Sequence, residues 1–259
     1  MTNTPDSPSP ALGHVTLVGA GPGDPELLTV KAARALAQAT LVLYDHLVSN
    51  AVMDLLPADC ERIHVGKRKG LHTLPQAEIT AEMIRFARAG RSLVRLKGGD
   101  PYVFGRGGEE VAGLSEAGVP FTVIPGITAA QAASCLAGIP LTHRDHAQSV
   151  VLATGHLQGL HGDRHVDLDW PSLVHQKQTL VIYMGLGALP IISEQLVAHG
   201  MPADTPAALI ERASLPEQRV VTGTVARLPA LAVAHQVESP ALIMIGGVVS
   251  LHPLLAPHH

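Results

Sequence analysis

Aromatic residues are scarce in this chain, which has only 3 Phe, 3 Tyr and 1 Trp among 259 residues. Apolar residues still make up 46% of the sequence, so the core must consist of aliphatic side chains and alanine, which favours helices packed on sheets. Cysteine is scarce as well. Cys60 and Cys135 lie far apart, which argues against a disulfide framework or a cysteine-based metal site and indicates buried thiols in a reducing compartment.

Long apolar runs and a strong net charge are also lacking. No stretch approaches the roughly 18 apolar residues that a membrane span needs, and the polar, proline-rich start does not resemble a signal peptide. The formal net charge of −4 gives no reason to expect nucleic acid or an anionic membrane as a partner. We therefore expect a cytoplasmic protein with neither of these partners.

Histidine is plentiful, with 15 residues, but its spacing does not predict a metal site. His143 and His146 lie three residues apart beside Asp145, and neither an HExxH motif nor a Cys/His set is present. Such spacing fits no recognised ligand pattern. The sequence therefore predicts no metal.

Strand and helix patterns alternate along the chain, which predicts two α/β domains and, in the first half, right-handed crossovers and a parallel sheet. We expect the active site in the cleft between a domain at 13–138 and a domain at 139–252, with tails at 1–12 and 253–259. Predicted strands lie at 14–18, 40–44, 62–65, 92–96, 121–124, 149–153, 179–183, 207–210 and 241–245, with helices at 25–39, around 79–87 and at 107–117, an edge or hairpin segment at 219–225 and a loop at 155–175.

The segment GGDPYVFGRGGEE, residues 98–110, combines glycines with charges of both signs. It follows a predicted strand, and its glycines allow the backbone to approach a ligand closely. Asp100, Arg106 and the pair Glu109 and Glu110 lie among them. Ligands of α/β proteins bind at the carboxyl ends of strands, so the pattern favours a small-molecule site over a surface turn.

A second glycine-rich turn, VGAGPGDPELLT at 18–29, follows the first predicted strand. With Asp45 at the end of the second strand it is similar to a dinucleotide-binding fingerprint, so a nicotinamide-dependent oxidoreductase is an alternative. However, the spacing is G-x-G-x-G, and Pro22 and Pro25 remove backbone N–H groups that would face a pyrophosphate. The turn therefore favours a ligand without phosphates.

Four segments together resemble one known family. GAGPGDPELLT, GGDPYVFGRGGEE, VIPGITAAQAA and PLTHRD occur in this order, with similar spacing, in the uroporphyrinogen-III C-methyltransferases of the tetrapyrrole methylase superfamily. GRGGEE and PLTHR are specific to the uroporphyrinogen branch, whereas GPGDP and GGDP mark the wider superfamily. The resemblance covers about residues 14–251, the whole chain apart from its predicted tails.

The resemblance implies a homodimer that methylates uroporphyrinogen III at carbons 2 and 7, using two molecules of S-adenosylmethionine. The product, formed through precorrin-1, is precorrin-2, which feeds sirohaem, cobalamin or haem d1 synthesis. Some sirohaem-synthesising relatives carry a further dehydrogenase–chelatase domain, which is not expected in a chain of this length.

The resemblance also implies which residues hold the methyl donor. Most are small loop residues that offer backbone groups, while Met184 would form an adaptable apolar wall. Read without the family, Met184 would be a core residue. The implied donor-binding residues are Pro22, Gly98, Gly99, Asp100, Val103, Thr128, Ala129, Met184, Ala213 and Ala241.

Substrate binding and proton transfer are implied for a smaller group. Arg106 and Arg144 correspond to arginines that contact the substrate carboxylates, and Glu109 corresponds to their partner carboxylate. Asp45 corresponds to a proton acceptor. Lys67 corresponds to a proton donor, although its basic run fits a solvated turn equally well. The expected catalytic residues are Asp45, Lys67 and Arg106, the last as a substrate anchor because a guanidinium is a poor base.

Two further alternatives stay open. A sister methyltransferase of the superfamily would act on a later precorrin, and the GRGGEE and PLTHR segments argue against it. A non-catalytic ligand-binding module is disfavoured by the number of charged residues in the predicted loops.

Overall fold

A computed structural model describes residues 11–65, 75–159 and 165–256. The chain divides into two compact units, Met1–Ile127 and Thr128–His259. The division thus falls before residue 138, the expected end of the first domain. The segment between is bonded within the second unit, because the Ala130 N–H donates to the Tyr183 hydroxyl at 2.9 Å.

The sheet in the described part of the first unit has five strands in the order β3-β2-β4-β1-β5. Every neighbouring pair is parallel, as the alternation of strands and helices predicted. The strands are β1 (Val15–Gly19), β2 (Leu41–Tyr44), β3 (Glu61–His64), β4 (Leu93–Lys97) and β5 (Phe121–Ile124), and the helices are α1 (Val30–Ala37), α2 (Asn50–Met53), α3 (Gln76–Arg88) and α4 (Gly107–Glu116).

Helices cover both faces of this parallel sheet. Successive strand residues point to opposite faces, so Leu17 packs with Met83 of α3 on one side, while Val18 packs with Leu36 of α1 on the other. All four of these side chains are fully buried. The aliphatic core expected from the composition is therefore confirmed in this unit, and it leaves the carboxyl ends of the strands free for loops.

The helix expected at 25–39 is interrupted. A 3₁₀ turn at Pro25–Leu27 comes first, and α1 begins only at Val30. The Thr29 hydroxyl accepts a hydrogen bond from the Ala32 N–H at 3.1 Å, which caps α1. Leu28 and Thr29 have extended backbones, and these two residues separate the 3₁₀ turn from α1.

The sheet in the described part of the second unit is mixed, with strand order β6-β7-β10-β8-β9. β6 and β7 are parallel, β10 is antiparallel to both of its neighbours, and β9 forms an edge, as expected for that segment. The strands are β6 (Ser149–Thr154), β7 (Gln178–Tyr183), β8 (Pro206–Glu211), β9 (Arg219–Thr224) and β10 (Ala241–Ile245), and the helices are α5 (Ala129–Ala137), α6 (Trp170–Leu173), α7 (Leu189–Ala198), α8 (Leu228–Ala234) and α9 (His252–Leu255).

Two expectations for the second unit are wrong. The segment 155–175 is not entirely loop, because α6 buries Trp170 and Leu173 in the core of this unit. Cys135 is exposed rather than buried. Ala130 and Ala137 recur at helical spacing on the buried face of α5, and Cys135 lies off that face. In the three described ranges no helix has the length and apolar character that a membrane crossing requires.

Candidate active site

Three loops of the first unit meet where β1, β4 and β5 end. Gly21 and Gly99 exchange backbone hydrogen bonds, with N–O distances of 3.1 and 2.7 Å. Gly126 lies against them so closely that a Cβ atom there would be 2.3 Å from the Gly99 carbonyl oxygen. Gly99 has a φ of 68°, a conformation that favours glycine. The loops therefore pack backbone to backbone at the edge of the sheet.

Asp100 fastens two of these loops together. Its Oδ1 accepts a hydrogen bond from the Tyr102 N–H at 2.8 Å, and its Oδ2 accepts one from the Gly126 N–H at 3.0 Å. Pro22, Gly98 and Gly99 lie in the same group of loops, so the fold brings these implied donor-binding residues together. Half-buried Val103 follows in the loop after β4.

Arg106 and Glu109 form an exposed, two-pronged ion pair at the start of α4. Arg106 Nε and Nη2 donate to the two Glu109 carboxylate oxygens at 2.9 and 2.7 Å. These hydrogen bonds raise the pKa of Arg106 and lower the pKa of Glu109. Arg106 therefore stays a cation, which fits an anchor for carboxylates and not a base. It also has a left-handed backbone, with a φ of 57°, which is uncommon for a residue with a side chain.

Asp45 lies directly after β2, at the same edge of the sheet. Its Oδ1 accepts a hydrogen bond from the Leu47 N–H at 3.1 Å. Its Oδ2 lies 3.6 Å from Nη2 of Arg95, and the Asp45 side chain is 20% exposed. A partly exposed carboxylate at a strand end has the access to solvent and ligand that a proton acceptor needs.

Behind Asp45 lies a group of buried charged side chains that was not predicted from the sequence. Arg95, Lys97 and Glu110 are all buried. Arg95 Nε and Lys97 Nζ each lie 3.1 Å from Glu110 Oε1, which also accepts a hydrogen bond from Gln76 at 2.9 Å. Burial and the nearby Arg95 lower the pKa of Lys97. The signal was present in β4, where LVRLK places two cations on one face of an otherwise apolar strand.

The implied donor-binding residues of the second unit also share one edge of their sheet. Because β10 runs antiparallel between β7 and β8, its first residue lies beside the last residues of both neighbours. Ala241 is the first residue of β10 and pairs with Glu211. Met184 follows the end of β7, and Ala213 lies two residues after β8 ends. The tertiary fold therefore brings together positions far apart in the sequence.

Met184 is not a core residue, contrary to what its residue type alone would predict. Its side chain is 54% exposed, and its φ is 55°. On either side of Ala213, Arg212 and Ser214 have φ values of 48° and 72°. Left-handed backbone at residues other than glycine is often found at ligand sites, which supports a functional role for this edge.

Tyr183, at the end of β7, organises the turn that leads into α5. Its hydroxyl lies 2.6 Å from the Thr128 hydroxyl and accepts a hydrogen bond from the Ala130 N–H at 2.9 Å. These contacts fix the Thr128–Ala129 backbone, which is implied to contact the donor. This role could not be predicted from the sequence, because Tyr183 is the last residue of an apolar strand.

The remaining predicted site residues have fewer contacts. Arg144 is exposed in a turn closed by two hydrogen bonds between the backbones of His143 and Ala147, both 2.9 Å. Lys67 lies outside the described residues. Within the described ranges, no three His, Cys, Asp or Glu side chains converge as a metal site would require.

The arrangement of these residues suits transfer chemistry on an anionic substrate. Backbone-lined loops can hold a polar ligand, an exposed guanidinium can bind carboxylates, and a partly exposed carboxylate can accept a proton.

A family model supports this interpretation. Residues 14–229 match the model for Tetrapyrrole (Corrin/Porphyrin) Methylases. The chain is also 54% identical over 244 residues to a siroheme synthase of Pseudomonas fluorescens, a match that covers 94% of this chain and 52% of that relative. The chain thus spans about half the length of this relative.

Solved structures match the chain from end to end. A uroporphyrin-III C-methyltransferase from Thermus thermophilus is 44% identical, and the match covers 95% of this chain and 98% of that chain with a TM-score of 0.77. A structure of that organism's enzyme in complex with S-adenosyl homocysteine is 41% identical, with 92% and 94% of the two chains covered and a TM-score of 0.77. The chain belongs to the tetrapyrrole methylase family.

Proposed function

We propose that this chain is a uroporphyrinogen-III C-methyltransferase. It transfers methyl groups from S-adenosylmethionine to carbons 2 and 7 of uroporphyrinogen III, which gives precorrin-2 through precorrin-1 for sirohaem, cobalamin or haem d1 synthesis. The observation that carries the proposal is the end-to-end likeness to the Thermus thermophilus uroporphyrin-III C-methyltransferase. The match covers only 52% of the siroheme synthase relative, and no activity of the unmatched part of that relative is proposed for this chain.

The residues proposed to bind the donor occur in loops of each unit. In the first unit these are the loops with Pro22, Gly98, Gly99, Asp100 and Val103, where backbone groups can bind the amino-acid part of the donor. The second unit supplies Thr128, Ala129, Met184, Ala213 and Ala241. The structure of the Thermus thermophilus enzyme with S-adenosyl homocysteine supports this donor.

The substrate would be held by cationic side chains. Uroporphyrinogen is a polycarboxylate, and the protein's net charge is −4, so attraction has to be local. Arg106 and Arg144 are exposed and can bind carboxylates in a two-pronged manner. Glu109 engages Nε and Nη2 of Arg106, while Nη1 takes no part in this pair.

Methyl transfer needs no covalent enzyme intermediate. The electron-rich pyrrole carbon attacks the methyl carbon, and the methyl–sulfur bond breaks with its electrons staying on sulfur, giving S-adenosylhomocysteine. The protein's task is to align carbon, methyl and sulfur. A proton must then leave the cationic macrocycle, and the Asp45 carboxylate is a chemically suitable acceptor. Lys67 would be the proton donor.

Assembly and location are part of the proposal. The resemblance to the family supports a homodimer. We also propose a cytoplasmic location, and the small net charge gives no reason to expect nucleic-acid or membrane partners.

An anaerobic assay with uroporphyrinogen III and methyl-labelled S-adenosylmethionine tests the function. We expect label to enter the tetrapyrrole, with two methyl groups in the final product. A later precorrin methylated in preference to uroporphyrinogen would indicate a sister enzyme of the family. Tight nicotinamide binding without label transfer would instead support an oxidoreductase.

Replacement of Arg106 by lysine tests the substrate anchor. Lysine keeps the charge but loses the two-pronged geometry, so we expect Arg106→Lys to lower kcat/KM for uroporphyrinogen by about tenfold or more. Binding of S-adenosylhomocysteine, measured by calorimetry, should change little. Unchanged turnover would refute the anchoring role.

A further inference from the structure

The buried charges behind Asp45 are arranged around one guanidinium. Arg95 lies in the middle of β4, opposite Leu43 of β2, and only 3% of its side chain is exposed. Residues two apart in a strand share a face, so Asp45 and Lys97 lie one step further along the same face. The guanidinium therefore reaches the carboxyl edge of the sheet from inside the protein.

Several contacts fix the Arg95 guanidinium in place. Nε donates to Glu110 Oε1 at 3.1 Å, and Nη1 donates to the Leu96 carbonyl at 3.0 Å and to the Leu43 carbonyl at 3.4 Å. Nη2 faces Asp45 Oδ2 at 3.6 Å. Each nitrogen thus has a separate partner, and within the described residues Arg95 is the one ion-pair partner of Asp45.

The charges of this group balance only when Asp45 is included. Counted by their formal charges, Arg95 and Lys97 are cations, while Glu110 and Asp45 are anions. Glu110 is fully buried and accepts all three of its hydrogen bonds on Oε1, while its Oε2 has no partner in the described part of the chain. Apolar residues would fill such a site at lower energetic cost, so stability alone does not account for the arrangement.

We propose that Arg95 is a positioning residue for Asp45. Its guanidinium, held from behind by Glu110 and by two backbone carbonyls, pairs with Asp45 Oδ2 and orients the carboxylate with its exposed side toward the reaction. When Asp45 accepts the proton that leaves the methylated macrocycle, the electron pair of the broken bond stays on the macrocycle.

A double-mutant cycle tests this inference, which rests on the proposed function. Arg95→Gln is made in the wild type and in Asp45→Asn, and label transfer from S-adenosylmethionine to uroporphyrinogen is measured. We expect Asp45→Asn to lower kcat by about a hundredfold or more and Arg95→Gln alone to lower it by about tenfold. In the Asp45→Asn background the second change should alter kcat by less than about twofold, because its target is already absent.

Several readouts separate positioning from support of the fold. The KM values for both substrates and the Kd of S-adenosylhomocysteine should stay within about twofold of the wild type in Arg95→Gln. Arg91→Gln serves as a matched control, because Arg91 lies before the start of β4 in an exposed pair with Glu61, and its kcat should be unchanged. If Arg95→Gln loses S-adenosylhomocysteine binding, Arg95→Lys takes its place in the cycle.

Each other outcome overturns the inference. Equal losses of kcat from Arg95→Gln in both backgrounds would show that Arg95 does not act through Asp45. Loss of S-adenosylhomocysteine binding in both Arg95 variants would show that the guanidinium supports the fold. Unchanged kcat in Asp45→Asn would show that Asp45 is not needed as the proton acceptor, so that Arg95 would have no catalytic carboxylate to position. Methyl transfer, and with it the proposed function, would persist in that case. Absence of label transfer by the wild type would refute the proposed function first, and this inference with it.

Discussion

Two polar side chains show how single residues shape the candidate site. The Tyr183 hydroxyl holds the turn before α5 through Thr128 and the Ala130 N–H. Lys97 keeps an amine in the interior of the first unit, beside the Glu110 carboxylate. Buried polar groups are costly when they lose a partner, so each residue gives a prediction with a defined sign.

Removal of the Tyr183 hydroxyl should weaken donor binding. Tyr183→Phe leaves the Ala130 N–H without its acceptor, at a cost of about 1–3 kcal/mol, and loosens the Thr128–Ala129 backbone. We expect the Kd of S-adenosylhomocysteine, measured by calorimetry, to rise about three- to tenfold. Tyr44→Phe in the first unit is the control and should bind normally. Equal affinity in Tyr183→Phe and wild type would contradict this role.

Lys97 should make the stability of the protein depend on alkaline pH. Burial and Arg95 lower the pKa of Lys97 in the folded state, whereas the unfolded chain has the ordinary value of about 10.4. Between these two values unfolding takes up a proton, so the free energy of unfolding rises with pH. The gain is absent below the lowered folded-state pKa and complete above about pH 10.4.

Urea unfolding at several pH values between 7 and 10 measures this effect. The wild type should gain stability with pH relative to Lys97→Met, which lacks the amine. Lys31→Met, on an exposed position of α1, should follow the wild type. Parallel curves for the wild type and Lys97→Met would contradict the lowered pKa.

At the scale of elements, the carboxyl ends of β1, β4 and β5 are shaped by glycine contacts and one carboxylate. The loops after these strands approach closely because Gly126 packs without a side chain against Gly19 and Gly99. Gly21 and Gly99 exchange backbone hydrogen bonds, and Asp100 bonds two of the loops together. Parallel strands with right-handed crossovers bring these loops to one edge. The loops are therefore a single packed unit, although they come from distant parts of the sequence.

A pair of glycine substitutions distinguishes this packing from general loop flexibility. The Cβ atom of Gly126→Ala would lie 2.3 Å from the Gly99 carbonyl oxygen, so we expect a loss of about 1–3 kcal/mol in stability and weaker S-adenosylhomocysteine binding. Gly108→Ala has no atom within 4 Å of its Cβ and lies in α4, so we expect unchanged or slightly higher stability. Thermal unfolding of both variants decides the matter; similar stabilities would show that the loops tolerate a side chain at residue 126.

At the scale of the whole molecule, the chain consists of two units with separate cores and different sheets. The first unit has a parallel sheet covered on both faces, and the second has a mixed sheet with its own core. Each unit has the size of an independently folding domain.

This organisation predicts that the first unit folds alone. A fragment of residues 11–127 contains all strands of its sheet and the helices that cover both faces. We expect it to unfold in urea in a single cooperative transition, measured by circular dichroism, with the full-length chain as the reference. A broad, non-cooperative transition would show that its core depends on the second unit.

Much of the architecture was predictable because it depends on local pattern. Apolar runs predicted most strands of the described residues, the β-rich composition of 219–225 predicted an edge or hairpin segment, and the alternation with helices predicted the parallel sheet of the first unit. The helix at 129–137 was not predicted, since its small, alanine-rich residues give a weak pattern. The roles implied for Asp45, Arg106, Arg144 and the donor-binding residues stay predictions, because they came from the resemblance and not from measured contacts.

The sequence by itself determined the composition of the core, the order of strands and helices, and the segments that resemble the tetrapyrrole methylases. These features depend on neighbouring residues, so they can be read along the chain. Only the tertiary structure decided that Arg95, Lys97 and Glu110 form a buried group behind Asp45, and that Met184, Ala213 and Ala241 share one sheet edge. Those relations depend on strand register and on burial, which change the energy of a charge and arise only when distant segments pack together.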